Sequence, residues 1–218
     1  MRGEIVLRAD LILRELRHHA PFTSLGALTG VFLLALTADV LVRVEHEYLF
    51  HLLHPSHLFL SAIVTTAVYR KYGRGKGEAL AVGFLGSVGI CTLSDILLPY
   101  LGGLALGIPM HFHLCLLEHP WLVLAASLLG TAVGMGRPRT EFPHSCHVLV
   151  STYASAFYLT AFGSPSSWLP LLPALFPLLF VAVWLPCCTS DFIFPLLFVE
   201  EEREHREGPP SPTGKAPS

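Results

Sequence analysis

His54-Pro55-Ser56-His57-Leu58-Phe59-Leu60-Ser61 decides how this chain is read. Its frame, H-x-x-H-x-x-x-S, returns 90 positions later as His144-Ser145-Cys146-His147-Val148-Leu149-Val150-Ser151. Each copy is followed by a Ser-Asp pair with a proline four residues beyond the aspartate: Ser94-Asp95 with Pro99, and Ser190-Asp191 with Pro195. Both copies lie in strongly apolar stretches. Imidazoles and carboxylates are costly inside a bilayer and usually mark a site there.

The surrounding composition is that of a membrane protein. Of 218 residues, 52% are hydrophobic and 14% charged, and the mean hydropathy is +0.57. A soluble domain carries about 25% charged residues. Segments 21–42, 79–110 and 168–199 contain at most one acidic residue and no Lys or Arg. Each is long enough to cross a bilayer as a helix, which takes about 20 residues. The chain is therefore expected to be all-α and polytopic. Six spans are expected, near 22–43, 49–69, 79–102, 108–135, 144–163 and 168–199. Pro120 is expected to break the fourth span, and the five prolines of the last to kink it. A net charge of −2 argues against nucleic acid as a partner. The expected partners are the lipid bilayer and, because the chain is small for a transporter, a second copy in a homodimer.

Shifted by 90 positions, the two halves align. His54 meets His144, His57 meets His147, Ser61 meets Ser151, and Val31–Ala35 meets Trp121–Ala125. The Ser-Asp pair needs a further six-residue gap. Three spans per half reverse the second half in the membrane, giving a 3+3 inverted repeat, a plan many secondary transporters use. The division is 1–20, an amphipathic cytoplasmic or interfacial helix; 21–103, the first repeat; 104–199, the second repeat; and 200–218, a disordered cytoplasmic tail. A continuous extension of the first span is the other reading of residues 1–20.

Lys and Arg collect on the cytoplasmic side of short loops. Arg2, Arg8, Arg14 and Arg17 precede the first span, Arg70, Lys71, Arg74 and Lys76 follow the second, and Arg137 and Arg139 follow the fourth. Arg203, Arg206 and Lys215 lie beyond the sixth. Only Arg43 falls on the other side. The expectation is a multi-pass protein of the cell membrane with both termini in the cytoplasm. The inversion then predicts one polar cluster per leaflet: His54, His57 and Asp95 near the outer surface, and His144, His147 and Asp191 near the inner one.

Residues i, i+3 and i+7 share a helix face, so each H-x-x-H can offer two imidazoles to one metal ion. A carboxylate from the next span, Asp95 or Asp191, is the expected third ligand. His111 and His113 could complete the outer site. Cys188, with Cys146 and Cys187 as alternatives, could complete the inner one. Imidazole with carboxylate and thiolate suits zinc, copper, iron or nickel. The five cysteines lack the spacing of a disulfide framework and are expected to be reduced. His51 reads as a loop histidine, though it falls one turn before His54. Glu118-His119 reads as a buried hydrogen bond or a proton relay.

The leading functional expectation is a small transporter or permease that moves a metal, or a small solute coupled to protons. A membrane metalloenzyme is an alternative, but HExxH and GxSxG are absent and no catalytic residue is assigned. Haem ligation is another; CxxCH is absent. The last alternative is a bundle in which His, Ser and Asp only join helices.

Overall fold

The structure is a computed structural model that describes residues 2–37, 43–72, 75–136 and 141–188; within these, the side chains of 2–16, 18, 19, 43, 44, 72, 141–145 and 188 lie outside the description. Regular structure among the described residues is helical, apart from one isolated antiparallel bridge between Met110 and Gly163. The helices are α1 (Arg2–Thr37), α2 (Arg43–Tyr72), α3 (Lys76–Ala105), α4 (Cys115–Glu118), α5 (Pro120–Gly136), α6 (Glu141–Phe162) and α7 (Leu172–Cys188). Four helical segments are long and apolar enough to cross a bilayer: Ala20–Thr37, Glu45–Lys71, Lys76–Ala105 and Leu169–Cys187, the last entering α7 through a 3-10 turn. Pro120–Gly136 and Cys146–Phe162 are apolar but shorter.

Local chemistry explains the interruptions. His119 leaves the helical region, with φ −131° and ψ 56°, because a residue before proline avoids the α conformation. The chain accordingly breaks at Pro120. Residues 108–114, expected to open the fourth span, are instead an extended segment. Gly107, at φ 74°, turns the chain into it. The segment is then pinned to the end of α6, where the His111 amide donates to the Phe162 carbonyl (2.7 Å) and the Ser164 amide to the Pro109 carbonyl (3.0 Å). At the N-terminus, residues 2–37 form one helix with no break between the charged segment and the apolar run.

α2 is the central element and packs most extensively against α6, α5 and α3. Two glycines one turn apart on α5 permit this. A Cβ on Gly130 would run into the Phe59 carbonyl oxygen, and one on Gly134 would lie 2.6 Å from that of Ile63. Such small residues let helix backbones approach without a large side chain between them.

Burial runs against the usual rule. Trp121 is 81% exposed and Leu85 63%, while His54, His57, Asp95, His147, Ser151, Thr152 and Ser155 are all buried. Exposed apolar side chains around a polar interior fit a solvent that is itself apolar.

Candidate metal centre

The site is built around Asp95, which no solvent reaches. It lies in a single π-helical turn, Leu93–Leu97, inserted into α3. Such turns interrupt the ordinary hydrogen-bond ladder and often occur at functional sites. Ser155 of α6 donates its hydroxyl to the Ser94 carbonyl (3.0 Å), giving a polar group of that turn a partner from a neighbouring helix.

Four side chains converge on the carboxylate. His54 Nδ1 and His57 Nδ1 lie 2.9 and 2.8 Å from Oδ2. The hydroxyls of Ser94 and Ser151 donate to Oδ1, each at 2.8 Å. An ionised carboxylate only accepts, and it has about four lone-pair sites. Both imidazoles therefore carry their hydrogen on Nδ1, and in the neutral rings the Nε2 lone pairs are directed away from Asp95.

At His57 that lone pair faces a cluster of ligands. Cys91 Sγ lies 3.7 Å from His57 Nε2, and Cys187 Sγ lies 4.0 Å from it. The His147 ring stacks on the His57 ring, with centroids 5.6 Å apart and planes 11° from parallel. One ligand atom each from His57, His147 and Cys187 falls within a mutual span of 4.8 Å, and all three residues are buried. A tetrahedral ion with ordinary zinc bond lengths sets nitrogen and sulfur about 3.6 Å apart, so the two His57–cysteine spacings of 3.7 and 4.0 Å are within a few tenths of an ångström of ligation. His54 Nε2 is buried without a hydrogen-bond partner and faces no comparable cluster among the described residues; its ring stacks on Phe50 (5.3 Å, 13°).

The expectation of separate clusters in two leaflets is corrected by this geometry. His57 of the first copy and His147 of the second are in ring contact, because α2 and α6 pack directly together. Ser151 of the second half also reaches the aspartate of the first. Asp95, expected as a metal ligand, stands behind His57 with its oxygens taken up by donors. His144 and Cys188 have side chains outside the described residues, and Asp191 lies outside them altogether. His111 is exposed and belongs to neither histidine group.

A second group escaped the sequence reading in part. His113 joins His51 and His119, with ligand atoms again within a mutual 4.8 Å. His51 Nε2 and His113 Nε2 are 3.0 Å apart, and His113 Nδ1 lies 2.9 Å from Glu118 Oε1. The position of His51 one turn before His54 was the available signal. For Cys187 the signal was its offset: it precedes Asp191 by four residues, as Cys91 precedes Asp95.

No known protein family, curated protein or solved structure matches the chain.

Proposed function

We propose that this chain is a small membrane permease for a transition-metal ion, held between two inverted halves by His57, His147 and Cys187, with Cys91 as the fourth donor. One observation carries the reading: the grouped donor side chains come from both halves of the sequence. His57 and Cys91 belong to the first half, His147 and Cys187 to the second. Transporters of the inverted-repeat type place their site at this junction, and rocking of one half against the other exposes it to alternate sides. Parting the halves would divide such a ligand set two and two and release the ion.

The donors set the ion class. Two imidazoles and two thiolates suit zinc, and thiolates also favour cuprous copper. The chain's other residues act around the ion. Asp95 fixes the tautomer and orientation of His57, as the outer carboxylate partners of ligating histidines do. Ser151 ties that carboxylate to the second half. The topology that goes with this reading has six spans, cytoplasmic termini and a homodimer in the cell membrane.

A purely structural role draws support from the complete hydrogen bonding of Asp95. Metal content separates the two readings. Protein purified in mild detergent is expected to hold one zinc or copper ion that His147→Ala and Cys187→Ser both remove. Proteoliposomes containing a zinc-sensitive dye should take up zinc with the unmodified chain and fail to do so with either variant. A folded protein that binds no metal at any tested concentration would leave only the structural role.

A further inference from the structure

The three-histidine group at His51, His113 and His119 is built differently from the buried site. We infer that it is a second transition-metal site, one that reaches solvent and exchanges its ion freely. It takes a borderline divalent cation such as zinc, nickel or cobalt, and its formation does not depend on the buried site.

Three observations point the same way. First, His51 Nε2 and His113 Nε2 face each other at 3.0 Å. Two nitrogens bound to one tetrahedral zinc lie about 3.3 Å apart, so the pair is close to ligating distance before any ion arrives. Second, His113 is held for that role. Its Nδ1 donates to Glu118 Oε1 at 2.9 Å, leaving Nε2 as the ligating atom. Its ring stacks on Phe162 at 4.4 Å and 7°. Its backbone amide donates to the Tyr158 hydroxyl, and that hydroxyl donates to its carbonyl, both at 3.2 Å. Third, His119 is exposed and His51 partly so, which leaves one side of the group uncovered by protein and a fourth coordination position open. Three imidazoles with an open fourth position accept a hydrated ion and let it leave again. The buried site has the opposite character, with sulfur donors and no solvent access.

The sequence explains why the third ligand lies where it does. His119 immediately precedes Pro120, whose ring forces it out of the helical conformation. A helical His119 would continue around α4. The non-helical one lies edge-on to His51, with centroids 4.5 Å apart.

Cobalt(II) titration of the full-length protein in detergent tests this directly. Thiolate-bound cobalt gives an intense near-ultraviolet charge-transfer band, whereas cobalt held by imidazole and water gives only weak visible bands. The expected result is two classes of site, one with the charge-transfer band and one without it. His119→Ala should abolish the class without the band and keep the other. Cys187→Ser should do the reverse. Because His119 is exposed, its replacement should leave the metal-free unfolding temperature unchanged, so a loss of binding reads as a loss of a ligand. Brief treatment with a chelator should strip the imidazole-only class first. Undiminished cobalt binding in both His119→Ala and His51→Ala would overturn the second site. Failure of the charge-transfer class alone would count against the permease reading and leave this site standing.

Discussion

His57 and His113 are both buried histidines whose Nδ1 is held by a carboxylate, and there the likeness ends. Behind His57 stands Asp95, inaccessible to solvent and bonded by four donors from three helices. Behind His113 stands Glu118, whose side chain is 51% exposed. In front of His57 are sulfur and a second buried imidazole; in front of His113 are two imidazoles, one partly and one fully exposed. A histidine–carboxylate pair thus stands in an enclosed, sulfur-bearing surrounding in one place and in a more exposed, all-imidazole one in the other. Burial of the carboxylate and the softness of the facing donors decide the difference.

The contrast is broken most severely at Asp95. Asp95→Ala leaves the Nδ1 hydrogens of two buried imidazoles without an acceptor. Leaving a buried donor without its acceptor costs about 1–3 kcal/mol per group. The loss should be visible as a lower unfolding temperature in detergent, together with loss of the buried ion. Asp95→Asn should cost less, because Ser94 and Ser151 can turn their hydroxyls to accept from the amide while its oxygen still accepts from the histidines. Equal stability of Asp95→Ala and the unmodified protein would show that the network contributes nothing to the fold.

The next change sharpens the ligand assignment. Cys187→Ser should weaken the buried ion by more than about 100-fold, roughly 2.7 kcal/mol, and leave the three-histidine site untouched. Cys188→Ser should leave both sites bound. The reverse pattern, read by zinc stoichiometry, would restore Cys188 as the ligand and displace Cys187.

These two cysteines also show what could be read from the sequence and what could not. The apolar runs are legible because stretches of about 20 or more residues with no Lys or Arg and at most one acidic residue have few other uses, and the break at Pro120 is legible because proline's ring restricts the residue before it. That His54, His57 and Asp95 would meet follows from their recurrence together. Depth was not legible. Assigning His57 and His147 to opposite leaflets assumed that each cluster sits at the end of its helices, whereas the close crossing of α2 and α6 brings both rings to one point. The π-helical turn at Leu93–Leu97 leaves no mark in hydropathy, yet it helps to set Ser94 and Asp95 toward one site. In the sequence His51 reads as a loop residue, because its position near the end of an apolar run fits a loop as well as a helix. Its partners, His113 and His119, come from an extended segment and a pre-proline residue that periodicity does not describe.

A smaller effect is expected at Tyr158, which positions the accessible site without touching its ion. Tyr158→Phe removes the hydroxyl that satisfies both the amide and the carbonyl of His113. Leaving such buried backbone groups unpaired costs about 1–3 kcal/mol. Cobalt binding by the three histidines should weaken, and the charge-transfer signal of the buried site should persist. Loss of both signals together would show that the two sites form one cooperative unit.

The smallest effect should come from Glu118, and it tests whether the two carboxylates differ as their burial implies. Loss of an outer carboxylate behind a ligating histidine typically costs 10–100-fold in metal affinity. Water can replace half-exposed Glu118 as the acceptor for His113 Nδ1, and Phe162 still holds the ring by stacking. Glu118→Ala should therefore fall at the lower end, about tenfold or roughly 1.4 kcal/mol. Glu118→Gln should cost less again, since its amide oxygen keeps the hydrogen bond and only the charge is lost. Affinity measured by competition with a zinc dye orders the three proteins. A 100-fold loss in Glu118→Ala would mean that water cannot take the carboxylate's place, and would make Glu118 the equal of Asp95 despite its exposure.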